Sequence, residues 1–131
     1  MTTVTITAVP GASVVFRGGV IAYATDLKAA LLGVPADLLA ARGAVDPEVA
    51  AAMAAGVQQR LKADVGVATT GVAGPDPAEG KSPGTVHIAV RAGGSTVAET
   101  LALAGSRPEI RRQTVARCLR LVWSVMGEEG A

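Results

Sequence analysis

Aromatic side chains are nearly absent: the 131-residue chain has one Phe, one Tyr and one Trp. Half its residues are nonetheless hydrophobic. Its core must therefore be built from Ala, Val, Leu and Ile, which are small enough to let helices lie close on a sheet. Cysteine is as scarce. The single Cys118 excludes an internal disulfide and a cysteine-based zinc site. The single histidine, His87, excludes a histidine metal cluster. Charge of one sign is lacking too: 12 basic and 11 acidic residues leave a net +1. That balance offers nothing to draw a nucleic acid or a membrane surface. No apolar run approaches the ~20 residues needed to span a bilayer. The first residues lack the basic stretch and apolar run of a signal peptide, and cytoplasm is the expected compartment.

The length fits one domain, residues 1–131, able to bury a core without disulfides or metals. Residues 2–8 (TTVTITA) are β-branched and predict a strand, ended by the turn Pro10-Gly11. Residues 20–24 predict a buried strand after Gly18-Gly19. Thr25 or Asp26 can cap a helix to about Leu32, stopped by Gly33-Val34-Pro35. A second short helix covers 36–42, with Gly43 as its stop. Asp46-Pro47-Glu48 is a helix start, and Val49, Met53, Val57 and Leu61 are spaced for one face of the helix that follows. Residues 64–70 predict a strand. Residues 71–83 form a glycine- and proline-rich loop of a length that is usually functional or disordered. Residues 84–91 and 96–104 predict a hairpin around Gly93-Gly94. Ser106-Arg107-Pro108-Glu109 has capping-box form and opens a last helix to about Met126. This order of strands and helices predicts a sheet with helices on both faces.

Two stretches carry candidate chemistry. In GGVIAYATDLKAALLGV, Tyr23 ends a strand and Lys28 lies in the first turns of a helix, a common location for a site in an α/β fold. Partial desolvation there would lower the lysine's pKa and make it a base. The alternative is a solvated lysine beside an amphipathic core tyrosine. In TTGVAGPDPAEGKSPGTV, hydroxyls and glycines follow a strand, an arrangement open to an anion. It is neither a phosphate-binding Walker loop nor a dinucleotide fingerprint, and a surface loop uses glycine and proline anyway. His87, on a strand, suits a core or cross-strand role. Cys118, beside Leu119 and Leu121, suits a buried small hydrophobe. Arg107 and Arg111 either reach a ligand phosphate or lie on a solvated face.

These stretches together resemble the C-terminal domain of the CinA family, also found as stand-alone PncC-type nicotinamide-nucleotide amidases. The landmarks are VPGASVVFRGGVIAYATDLKAALLGV (9–34), RGAVDPEVA (42–50), TGVAGPDPAEGKSPGTVHIAV (70–90) and GSRPEIRRQTVA (105–116), in the family's order. The resemblance implies an α/β fold, a three-layer α/β/α sandwich with a mixed sheet. It implies hydrolysis of the carboxamide of nicotinamide mononucleotide to nicotinate mononucleotide and ammonia, with no cofactor and no metal expected. A serine nucleophile would be assisted by Lys28, with Tyr23 beside it. Thr70, Gly71, Ala73, Gly74, Lys81, Arg107 and Arg111 would bind the substrate, a small-molecule pyridine nucleotide. An activated nucleophile, a base and donors aimed at the oxyanion are what amide cleavage needs.

The chain departs from the family at its start. The family's first strand and its A-E-S-C-T-G-G motif, which holds the nucleophilic serine, precede the VPG turn and are missing here. Either residues 1–8 match the end of the helix after that motif, so that the serine falls before Met1, or TTVTIT is the first strand and the motif is deleted. Ser13, at a turn position of the family, does not replace it. The expectation is an N-terminally truncated domain with little activity of its own. The alternative is a non-catalytic member that keeps nucleotide binding or an assembly role. A homodimer is plausible in both cases, because a lost strand leaves sheet edge and apolar surface exposed.

Overall fold

The computed structural model describes residues 2–130. Its centre is the strand β2 (Thr85–Ala92, TVHIAVRA), which carries the branched Val86, Ile88 and Val90 on one face. On one side β2 pairs with β1 (Val65–Gly71), and on the other with β3 (Ser95–Ala102). Both pairings are antiparallel, with Thr69 opposite Ile88 and Val90 opposite Val97. Gly93-Gly94 closes the β2–β3 hairpin in two residues, and Gly93 takes the left-handed conformation (φ 56°) such turns demand.

Side chains alternate across a strand, so β2 serves two cores. Val86, Ile88 and Val90 face a long helix, α5 (Arg107–Gly130), and pack with its Ile110, Cys118 and Leu121. Ala89 faces the other way with Ala68 of β1. There they meet three helices: α2 (Thr25–Leu32), α3 (Ala36–Arg42) and α4 (Pro47–Arg60). The result is the expected α/β fold in three layers, helices on both faces of a sheet. Every strand pair among the described residues is antiparallel, so the parallel pair of a mixed sheet is not among them.

The helix signals hold in detail. The Asp46 carboxylate accepts from Glu48 N (2.8 Å) and Val49 N (3.3 Å), with Pro47 in the first turn of α4. Val49, Ala50, Met53 and Ala54 are buried on one face, and Val57 and Leu61 continue it half-buried. Ser106 and Glu109 form the capping box reciprocally (3.0 and 3.4 Å). The capping of α2 differs: its N-cap is Ala24 without a side-chain bond, and Thr25 and Asp26 lie inside the first turn.

Two predicted strands are not strands. Residues Thr2–Thr7 form a helix, α1, in which Thr7 Oγ1 donates back to Thr3 O at 2.8 Å. β-propensity expresses fit to a pleated neighbour. No strand edge pairs with this segment, and the local helical bonds win over a weak intrinsic preference. Residues 20–24 are extended but unpaired. Val20 and Ala22 pack on the α4-side core, whereas Ile21 and Tyr23 point outward, 87% and 83% exposed. The period of two is present, but the hydrogen-bonding neighbour is not.

The helix–helix contact that fixes α2 rests on an absent side chain. A Cβ on Gly56 of α4 would lie 1.8 Å from the backbone oxygen of Leu32. Gly56→Ala is therefore expected to lower the unfolding free energy by about 2 kcal/mol, although alanine favours a helix by about 1 kcal/mol. Urea denaturation of both proteins measures the difference.

Candidate functional site

β1 is an edge strand: among the described residues its outer side pairs with nothing. Along it runs a trough of about 1120 Å³. The extended run from Phe16 to Tyr23 and the loop at 72–79 line it as well. Leu32, Met53 and Val57 line it from the α4 side, and Val115, Leu119 and Val122 from α5. Thr2, Thr3 and Ile6 of α1 border it.

Lys28 opens onto this trough and is 6% exposed. It sits in the second half-turn of α2, just after the chain leaves the extended run. Its Nζ donates to Ala22 O of that run, a short 2.6 Å bond across six residues. No carboxylate pairs with it among the described residues. Burial depresses its pKa below the ordinary lysine value, and the Glu79 carboxylate partly opposes that. A lysine so placed is poised to lose its proton more readily than a solvated one. The solvated-lysine alternative fails, because α2 packs on α4 with Lys28 on its inner side. Tyr23 borders the trough but is an exposed residue, not a core one.

The other wall is organised around a buried dipeptide, Ala44-Val45, between α3 and α4. Buried backbone groups need partners, and here side chains supply all four. Glu79 accepts from Ala44 N (3.1 Å) and Val45 N (2.9 Å). Thr70 Oγ1 donates to Ala44 O (2.7 Å), and Lys81 Nζ to Val45 O (3.3 Å). The two amide bonds hold the Glu79 carboxyl below the usual carboxylate range. The strap they form is therefore intact above the ordinary carboxylate pKa and is lost as pH falls through the lower, folded value. Glu79 had no signal in the sequence. It is an acid in a glycine-proline loop, and its partners are backbone atoms more than thirty positions away.

Thr70, Gly71, Ala73, Gly74, Arg107 and Arg111 all line the trough. Lys81 does not: its ammonium is turned to Val45 O. The Thr70 hydroxyl proton is committed to Ala44 O, which leaves its oxygen as an acceptor. Arg107 Nη1 donates to Gly74 O at 2.9 Å and ties the first turn of α5 to the loop. No serine lines the trough among the described residues. His87, 5% exposed, bonds through Nδ1 to Thr100 Oγ1 across the strand pair (3.0 Å). Burial is the main cause that lowers its pKa, with Lys81 adding to it and Asp46 opposing. Cys118 is fully buried, and desolvation pushes its thiol up to about 12, an inert core group. Among the described residues no cluster of His, Cys, Asp and Glu could hold a metal ion, and no helix is long and apolar enough to cross a membrane.

The CinA C-terminal domain family matches residues 1–126. A CinA-like protein of Frankia casuarinae is 55% identical over 117 residues, 89% of this chain and 27% of that protein. A CinA-like protein of Gemmatimonas aurantiaca is 50% identical over 107 residues, 81% of this chain and 25% of that protein. The chain thus spans about a quarter of the length of these curated relatives. Among solved structures, the competence/damage inducible protein CihA of Agrobacterium tumefaciens superposes with a TM-score of 0.90 at 33% identity, covering 94% of this chain and 76% of that one. A CinA superfamily protein of Enterobacter cloacae gives 0.91 at 27% identity, covering 94% and 73%.

A cation whose folded pKa is depressed costs stability while it is charged. Between the folded value and the ordinary 10.5, the unfolded chain holds more protons at Lys28, so stability rises with pH there. Lys28→Met should therefore melt at a higher temperature than the wild type at pH 7. The gap should narrow as pH is raised toward 10.5, as read by thermal melts at a series of pH values.

Proposed function

The chain belongs to the CinA C-terminal domain family, and from that premise we propose that the trough is the substrate site of an amide hydrolase acting on nicotinamide mononucleotide. The reaction is cleavage of the carboxamide C–N bond by water, giving nicotinate mononucleotide and ammonia. The observation that carries this reading is the desolvated, carboxylate-free Lys28 at the trough wall. As a neutral amine it takes the proton of an attacking hydroxyl, and as an ammonium it returns that proton to the leaving ammonia. Its bond to Ala22 O fixes the direction of the amine.

The rest of the site binds. Backbone N–H groups at Ala73 and Gly74 border the trough where glycine keeps side chains out of the way, a suitable cradle for an oxyanion or a phosphate. Arg107 and Arg111 bring positive charge to the same end, and Arg107 also holds Gly74 in place. Tyr23 offers a ring at the rim, close to where a nicotinamide would enter. Thr70 presents an acceptor lone pair to a substrate amide or hydroxyl.

The attacking hydroxyl is not supplied by the lining of the trough, which has no serine among the described residues. In the family's pattern the nucleophile comes from the A-E-S-C-T-G-G segment, which the sequence does not contain. Residues Thr2–Thr7 are helical, in keeping with the alternative in which they match the end of the helix after that motif. The 131-residue chain alone is thus expected to bind the nucleotide and turn it over poorly.

Ammonia release from nicotinamide mononucleotide tests the proposal. The 131-residue chain should be at least about 100-fold slower than a relative that carries the motif. Lys28→Ala placed in that relative's matching position should abolish most of its rate. Turnover by the 131-residue chain at a relative's level, unchanged by Lys28→Ala, would overturn both roles.

A further inference from the structure

We propose that Glu79 is a positioning residue for Lys28: strapped across the amides of Ala44 and Val45, it holds the 72–84 loop in place and sets a fixed negative charge at the wall of the trough that Lys28 faces. The inference rests on Lys28 being the reacting base, and it assigns that base's environment to one acid in the loop.

The geometry is that of a built site. Both carboxylate oxygens are used, one on each amide, at 3.1 and 2.9 Å. Gly43 makes room for them: a Cβ there would lie 3.1–3.3 Å from the carboxylate, and Gly43 is itself left-handed at φ 76°. Glu79 holds a left-handed backbone as well (φ 51°), unusual for a residue with a long side chain. The loop keeps that conformation where the Ala78–Lys81 bridge closes a tight turn, with both backbone bonds made at 3.1 and 2.8 Å. Lys81 and Thr70 grip the carbonyls of the same dipeptide. The loop is thereby fastened at one point, and Glu79 and Thr70 of this cluster also line the trough.

Charge gives the strap a second consequence. The charged and titratable groups lining the trough are Arg17 and Tyr23 of the extended run, Asp76 and Glu79 of the loop, and Arg107 and Arg111 of α5. Asp46 and Lys81 do not line it, and their charges act on His87. Of these groups, Glu79 is the one whose charge is felt at Lys28, and it favours the protonated amine against desolvation. Desolvation favours the neutral amine and the Glu79 charge favours the protonated one, so the two act on the base in opposite directions.

The test reads Lys28 directly, without turnover. The chain has three lysines, Lys28, Lys62 and Lys81, so the Lys28 Cε resonance is assignable by single substitution and can be titrated by NMR. Glu79→Gln should lower the Lys28 midpoint by about half a unit or more. Glu79→Asp keeps the charge on a shorter arm. It should leave that midpoint nearly in place while the amides of Ala44 and Val45 exchange with solvent about 10-fold faster. The wild-type chain supplies a measurement that needs no variant: the Lys28 resonance should move a second time in acid, as Glu79 titrates below the usual carboxylate range. A Glu79→Gln protein that melts lower but keeps the Lys28 midpoint would make Glu79 a structural brace only and overturn the proposal. So would a wild-type Lys28 signal that ignores the acid titration. Loss of the ammonia-release reading leaves these titrations intact, so the two ideas fail separately.

Discussion

Strand β2 is buried on both faces, and that one requirement organises the protein. A strand covered on both sides must be apolar on both, and its backbone groups must be paired along both edges. β2 meets the first demand with Val86, Ile88 and Val90 toward α5 and Ala89 toward α4. It meets the second with β1 and β3. The asymmetry in side-chain size decides the shape of the two cores. Branched residues pack toward α5, whereas alanines pack toward α4, and Gly56 lets α4 and α2 come close. The scarcity of rings in the composition is the same fact seen from the sequence.

The site exists because the next strand outward behaves differently. β1 is paired on one side only, and its free edge borders a trough that both helical layers line. Small side chains line that wall, Gly66, Ala68 and Gly71 among them. A polar group at such a boundary is partly shielded from water without being sealed in. Lys28 occupies that boundary. Its side chain is buried, and its amine ends at a backbone carbonyl rather than at a carboxylate. The desolvation that makes it costly to the fold is the same desolvation that would make it useful to a reaction.

Opposite it, three polar residues spend their hydrogen bonds on two residues of backbone. Glu79, Thr70 and Lys81 satisfy Ala44 and Val45 completely. This joins a loop that sequence reading marks as functional to the junction between α3 and α4. Lys81, expected to meet substrate, instead faces Val45. Its charge still reaches the site indirectly, through Glu79.

Local signals were legible wherever a local bond carries them. The Asp46 cap, the Ser106–Glu109 box, the Gly43 stop and the Gly93-Gly94 turn are each satisfied within a few residues, and each is where the sequence predicts it. The alternation of residues 20–24 was legible as well, since Val20 and Ala22 do turn inward. Whether they form a strand depended on a neighbour, and so did the fate of residues 2–7: β-branched side chains favour a sheet only when a sheet edge is at hand. The sequence by itself therefore determined the stop of α3, the starts of α4 and α5, the hairpin, the inward-facing residues and the family landmarks that single out Lys28 and the 70–75 stretch. Only the tertiary structure decided that Lys28 is buried without a carboxylate, that Lys81 turns away, and that Glu79 straps Ala44 and Val45. Those outcomes rest on contacts between residues tens of positions apart, where desolvation and charge depend on what the fold brings near and not on spacing along the chain.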